Sequence, residues 1–497
     1  MTATVALRPV RRWIHARQAA HRERGAVLTN LYVGALSLAI IGGVLQRQLT
    51  AIFWPADPAL SGVAGLALAL VYGALLLLAL RRLGPVALSR PATYFLLTAP
   101  VSRRGLLLPG LRLAAVATAL TGAAGAVSVL GQVGTRDALP PMTVALGALA
   151  ALLVLLIAAL AQTDRRGGTT VDRLASLALA IGLAGLVADA AGWTPPALPG
   201  PPAAASLVLL AGALALVVLL GFTVVVRGLA RTPNDRVLES AQTAGTLFDA
   251  AFGMDPSWVT DMVERRYWAT RRLRSTRPPA RLPLLTGQDL LLTARRLPRL
   301  VWLTGATALP LLLTTSPRWL LAGALLAGAL TAARTCTATV QTDAGNPVLA
   351  RLLGLSSRQA LYQRFWVPTA LAAAWTTLAL ALLQLTGALP PGPWWALGLA
   401  VAPAAGAAAL RRARVGFVRN DLLPLETPMG TVSTGPLVNS VAGPDLLLLG
   451  LPMVLALAQG QSLPWTSVLL QAAAAVLGAR AYLNASTAPT RTELAAR

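Results

Sequence analysis

The chain contains no lysine. All 42 of its basic residues are arginine, against 18 aspartates and glutamates. Every chemistry that needs a lysine is thereby excluded, including the Gly-Lys-Ser/Thr phosphate loop of nucleotide hydrolases. A single cysteine, Cys336, rules out an internal disulfide and a thiolate metal site. The two histidines, His15 and His21, both lie in the basic N-terminal stretch. No group of His, Asp and Glu closes any apolar run, so neither a metal centre nor a membrane-embedded enzyme is indicated, and no cofactor is expected. Charge is scarce overall: 12% of residues are charged, about half the share usual in soluble domains.

What the chain has instead is apolar surface. Hydrophobic residues make up 56% of the 497, gathered in continuous Leu- and Ala-rich runs near the ~20 residues that span a bilayer. Barrel strands would alternate and be shorter. The expected fold class is therefore all-α, a polytopic helical membrane protein with about 12 transmembrane helices in two parallel six-helix repeats. The expected spans are 27–45, 59–80, 106–130, 142–161, 174–191 and 205–227, then 300–314, 318–333, 365–387, 394–410, 444–459 and 463–484. The pair 300–314 and 318–333 reads either as two spans or as a re-entrant hairpin.

The net charge of +24 invites a nucleic-acid reading, but the arginines follow the positive-inside rule. All but Arg47, Arg112, Arg136 and Arg318 fall on one side when the N-terminal stretch is placed inside. The expectation is a multi-pass protein of the inner or cytoplasmic membrane, both termini cytoplasmic, with lipid as a partner and no nucleic acid. Its outer loops are short, as in Gly387-Ala-Leu-Pro-Pro-Gly392, so any cargo is met in the membrane or from the cytoplasm.

Charge and apolar runs divide the chain into a basic tail or elbow at 1–26, a first membrane half at 27–227, a cytoplasmic linker at 228–299, a second half at 300–485 and a C-terminal tail at 486–497. Within the linker, Asp255-Pro256 opens a helix with acids early and arginines late, the order that suits a helix dipole. Asp289–Arg296 follows, with Leu290, Ala294, Leu297 and Val301 on one face and a stop near Pro298, which reads as an interfacial elbow before the seventh span. The few ionisable residues inside spans, Arg112 and Asp189, sit near span ends and form no proton relay. Ala324 and Gly328 have the spacing of close helix packing.

One element recurs. Ala99-Pro100-Val-Ser102-Arg103-Arg104-Gly-Leu106-Leu-Leu and Gly354-Leu-Ser-Ser357-Arg358-Gln-Ala-Leu361 each occupy a short basic segment between two apolar runs. Ser102, Arg103 and Leu106 match Ser357, Arg358 and Leu361 at one constant offset. As a bare pattern this is a positive-inside anchor. The shape Pro-Val-Ser-Arg-Arg-x-x-Leu-Leu also resembles the loop between the second and third helices of ABC-type exporter permeases, which carry six spans per half. That resemblance implies a short helix with exposed basic and Leu side chains touching a separate ATPase subunit, in two copies. It makes Pro100, Ser102, Arg103, Arg104, Leu106, Ser357, Arg358 and Leu361 the coupling residues. The second copy departs from it, with Gln359 in place of Arg104. Asp255-Pro256-Ser257-Trp258 and Thr427-Pro428-Met429-Gly430 resemble a poorly characterised bacterial family of multi-pass membrane proteins. Two other classes fit the composition. A twelve-span secondary transporter would need coupling charges in mid-membrane and acids in the second-to-third loop, which has none. A non-transporting envelope scaffold would need no coupling residues.

Overall fold

A computed structural model of the chain describes residues 24–54, 60–133 except 87 and 98, 140–193 except 164, 204–252, 281–345, 352–415 and 425–485 except 428, 429 and 433, with isolated positions elsewhere. The helix expected at Asp255-Pro256 lies outside the described residues. The chain divides into two compact units, Met1–Phe248 and Asp249–Arg497.

The first unit is built from long apolar helices: α1 (Arg24–Phe53), α2 (Gly62–Leu83), the short α3 (Arg90–Leu96), α4 (Arg103–Val133), α5 (Pro140–Thr163), α6 (Arg165–Ala190), α7 (Ala204–Gly228) and α8 (Asn234–Phe252). Local chemistry sets several of their ends. Ser61 and Ser89 cap α2 and α3 by accepting the backbone N–H groups of Ala64 and Ala92. Gly84, at φ +75°, ends α2 in a conformation that a side chain would strain. Lipid offers no hydrophobic drive between helices, so contact relies on small residues. A Cβ on Gly122 of α4 would lie 2.5 Å from the Gly147 carbonyl oxygen of α5, so these two helices meet backbone to backbone. Helix ends gather on two sides. On one, Arg81 at the end of α2 pairs with Asp172 of α6 at 3.0 Å, and Gln162 at the end of α5 accepts from Val86 and donates to Ser240 of α8. Around that end lies a core of Leu107, Leu111, Leu155, Leu156, Val225 and Leu229. On the other side, the Leu60 N–H donates to the carbonyl of Gln132 near the end of α4. The helices thus alternate in direction, with one arginine-rich end.

The second unit comprises α9 (Leu284–Ala294), α10 (Leu297–Gly305) running on as a 3-10 stretch (Ala306–Leu313), α11 (Arg318–Arg334), α12 (Ala338–Gly345), α13 (Ser357–Leu385), α14 (Trp394–Val415), α15 (Thr434–Val441), a 3-10 stretch (Pro444–Gly450) leading into α16 (Leu451–Gln459), and α17 (Trp465–Ala485). A short antiparallel ladder, Leu425–Thr427 with Gly430–Val432, pairs Glu426 with Thr431. The interior helix is α14, with Ala404, Ala405, Ala407, Ala408 and Ala409 fully buried. Gly398 lets α13 approach it so closely that a Cβ there would lie 2.6 Å from the Thr377 nitrogen, and the Thr376 hydroxyl donates to the Gly398 carbonyl at 2.7 Å. Gly328 of α11 makes room for the Trp375 ring, the packing role its spacing suggests. The junction between the second 3-10 stretch and α16 leaves backbone groups without helical partners, because Pro452 has no N–H to give. Gln471 of α17, fully buried, repairs this by accepting from the Met453 N–H and donating to the Leu449 carbonyl.

Among the described residues, eight helices are long and apolar enough to cross a membrane, or nine if the bent pair Arg318–Arg334 and Ala338–Ala344 is one span. The chain is a multi-pass helical membrane protein, and the eight correspond to eight of the twelve expected spans. The differences have physical causes. Leu297–Leu313 is too short as an α-helix, but Pro310 shifts half of it to 3-10 geometry. Its 9 α residues at ~1.5 Å and 8 in 3-10 geometry at ~2.0 Å reach roughly 30 Å, the depth of a hydrocarbon core. The expected span at 318–333 is α11, which turns by 65° into α12. At 394–410 stands α14, of spanning length, rich in alanine and ending in Arg411, Arg412 and Arg414. Residues 27–45 lie within α1, whose described apolar side chains, among them Leu28, Tyr32 and Val44, are mostly exposed.

Candidate functional site

Both copies of the recurring motif open a long helix. Ser102 precedes α4, and Arg103 and Arg104 form its first turn. Ser357 and Arg358 form the first turn of α13, where Ser356 and Gln359 make a reciprocal capping box that fixes the helix start. The motif is therefore the entrance of a long helix rather than a separate loop helix.

The side chains divide sharply. Pro100, Ser102, Arg104, Ser357 and Arg358 are exposed and Arg103 is half-buried. Leu106 and Leu361 are buried, at 2% and 8% exposure. This corrects the expectation of Leu side chains displayed to a partner: Leu106 and Leu107 fill the first unit's interior, and Leu361 packs with Val340, Phe365 and Leu410. A helix entering a bundle turns its apolar face inward, and the Leu run follows that face. The arginines also have internal partners. Arg103 donates to the carbonyls of Ala230 and Thr232, and Arg104 to that of Arg227. These carbonyls lie in the last turn of α7 and in the 3-10 turn Leu229–Arg231 that follows it, with Thr232 at its end. In the second unit Arg358 donates to Asn484 at 2.6 Å and lies over the Tyr362 ring at 5.8 Å. In both units the motif thus ties the start of one long helix to the far end of another.

Sequence reasoning missed a second constellation, in the second unit. Asp289 of α9 is 1% exposed and Arg364, two turns into α13, 3%. They form an ion pair through Arg364 Nη1 and Asp289 Oδ1. Arg364 also reaches Asp343 of α12 at 2.9 Å and Gln288 at 3.2 Å, while the Thr339 hydroxyl donates to Asp289 at 3.0 Å. Asp289 Oδ2 has no hydrogen-bond partner among the described residues. Burial pushes the Asp289 carboxyl up to about 6, against the pull of Arg364 and the Thr339 hydroxyl. Gln363 holds α9 from the same turn of α13, accepting from the Leu285 N–H with its side chain and from the Thr286 hydroxyl with its carbonyl.

α9 turns part of its apolar surface outward and buries polar side chains beside Leu285. Leu284 and Leu290 are exposed, as are Leu297 and Val301 beyond its end, whereas Asp289, Thr286 and Thr293 are buried. Apolar side chains facing outward and polar ones inward suit a helix lying against lipid. The elbow's apolar face was legible in sequence. Its charge cluster was not, because Asp289 and Arg364 stand 75 residues apart. The available signal was that Asp289 is the one acid between Glu264 and Asp343, set in a helix with no other charged residue. Asp189 and Arg112, the ionisable residues expected within spans, take no part in it.

Among the described residues no group of His, Cys, Asp and Glu could hold a metal ion. No curated protein and no solved structure matches the chain. A family model does match it over residues 57–415, a stretch that holds both helix entrances, Asp289, Asp343 and Arg364, and on that match the chain belongs to the family of unknown function DUF6297.

Proposed function

We propose that this chain is the membrane-spanning subunit of an ABC-type exporter, with two related six-helix halves and a separate ATPase docking on its arginine-rich face. The observation that carries the reading is the matched setting of the two motif copies. Each opens a long helix at the arginine-rich end of its unit, with exposed polar side chains at the tip and a buried Leu one turn further in. The order of packing supports the repeat as well. In the first unit α4 packs on α5, α5 on α7, and α2 on α4, α5 and α6; in the second α13 packs on α14, α14 on α17, and α11 on α13, α14 and α16. Positive-inside bias puts the arginine-rich ends in the cytoplasm, where an ATPase is available. Force from nucleotide-driven closure would enter α4 and α13 at their first turns and pass along rigid helices, so the buried leucines anchor and the exposed arginines dock.

A second reading, ion-coupled transport, draws on Asp289, whose carboxyl changes charge near pH 6. One pair of experiments separates the two. With an ATPase encoded beside this chain co-expressed and tagged, Arg104→Glu and Arg358→Glu reverse the charge at the two tips. Arg104→Glu abolishes its recovery with the membrane subunit, while Arg358→Glu, in the copy with one arginine fewer, weakens it less. Undiminished recovery in both variants sinks the docking reading. Transport that survives ATP depletion but stops on Asp289→Asn, with normal insertion, establishes the ion-coupled one.

A further inference from the structure

Each unit carries an arginine-lined groove at its arginine-rich end, between helix ends that hold corresponding places in the packing order. In the first unit the groove lies between the ends of α5 and α7 and has a volume of about 700 Å³. Arg104, Arg227 and Arg231 line it, all exposed, and no acidic side chain does among the described residues. The wall beside them is aliphatic: Leu160 and Val224 line the groove and are 43% and 53% exposed. Arg104 already donates one N–H to the Arg227 backbone carbonyl, which holds its guanidinium at the groove. Glu239 of α8 pairs with Arg236 at 3.3 Å and does not line the groove.

This combination of a cationic end and an aliphatic wall is the shape of a lipid site. A guanidinium matches the paired free oxygens of a phosphate diester. A free inorganic anion would call for polar donors all round rather than a leucine and a valine on one side. Basic pockets between spanning helices on the cytoplasmic side take anionic headgroups for this reason. We infer that the first unit's groove binds an anionic phospholipid of the inner leaflet, its phosphate on Arg227 and Arg231 and an acyl chain along Leu160 and Val224. The second unit has a groove of about 690 Å³ between the ends of α14 and α17, lined by Arg411 and Arg414. There Asp445 holds Arg411 at 2.7 Å, so less charge faces a ligand and this groove is the weaker site. The inference rests on the cytoplasmic placement of the arginine-rich ends and not on ATPase docking, so it is measured without any ATPase present.

The experiment uses the full chain purified in a zwitterionic detergent, with spin-labelled phosphatidylglycerol and phosphatidylcholine as probes. The wild type prefers the anionic lipid. Arg227→Gln with Arg231→Gln lowers that preference by about fivefold for each arginine removed. A control with Arg82→Gln and Arg173→Gln removes equal charge from exposed positions outside the groove and leaves the preference unchanged. Val224→Trp fills the aliphatic wall, leaves the arginines in place and lowers retention of the anionic lipid. Equal retention of the two lipids by the wild type, or equal losses in the groove and control variants, overturns the proposal. So does undiminished retention by Val224→Trp. Displacement of the lipid by excess inorganic phosphate marks a free-anion site and also overturns it.

Discussion

Asp289 is the residue whose environment asks most of the fold. Its carboxyl is buried, half of it unpartnered, and raised to about 6. Between pH 4 and 6 the native chain holds a proton there that the unfolded chain has released. The native state is therefore favoured as pH falls through that window, and the contribution is lost as pH rises through 6. The whole difference is at most about 3 kcal/mol. Thermal unfolding of the detergent-solubilised protein should show a higher midpoint near pH 5 than near pH 7.5, and Asp289→Asn should flatten that slope. Arg364→Met is a different case. It strands Asp289 and Asp343 without their cation, and breaking a buried pair from one side costs about 3–5 kcal/mol. A midpoint for Arg364→Met equal to wild type at pH 7.5 would show that the pair contributes nothing.

Elements built on composition were legible and those built on long-range pairing were not. The spans at 59–80, 106–130, 142–161, 205–227 and 463–484 were read within a few residues, because an apolar run with charged flanks has few alternatives in lipid. The 3-10 stretches at Ala306–Leu313 and Pro444–Gly450 were not read, since their Leu runs look helical and only the proline hints at tighter winding. Arg104 and Arg358 stand exposed, as their charge suggests, whereas Arg103 is half-buried. The motif's leucines were misjudged, because sequence gives a helix face its polarity but not the side its neighbours occupy. Gln471 belongs with these: set in the otherwise apolar stretch 468–479, it closes a backbone gap 18 residues away. Gln471→Leu keeps the volume and removes the closure. It leaves the Met453 N–H and the Leu449 carbonyl without partners in an apolar setting, at a cost of about 1–3 kcal/mol for each group left unpaired. Gln471→Glu restores both hydrogen bonds only when its carboxyl is protonated, so its loss should be smaller near pH 5 than near pH 7.5. Equal midpoints for wild type and the Leu variant would show that another group takes over.

At the scale of the whole molecule, the arginines predict an orientation, and the structure chooses where to test it. Both units gather their arginine-rich helix ends together: Arg81, Arg103, Arg104 and Arg227 in the first, Arg358, Arg364, Arg411 and Arg412 in the second. The opposite ends carry Trp193 in the first unit and Trp395 and Trp465 in the second, and all three are exposed. Tryptophan rings settle at either membrane–water interface by partitioning, whereas arginine-rich loops select the inner side by insertion bias, so the arginines alone carry the orientation. Single cysteines at Ser102 and Glu239 sample the arginine-rich end of the first unit, one at Ser357 that of the second, and one at Gln461 the second unit's opposite end, all at exposed positions. Cys336 is buried and bonded to the Ala333 carbonyl, so Cys336→Ala gives a background with little to label. In intact cells an impermeant maleimide should label the Gln461 position, and the other three only after permeabilisation. Labelling of Ser102 and Ser357 from opposite sides would mean that one half is inverted. The count of spans between the two motif copies would then be odd, and a common ATPase-docking face would be ruled out.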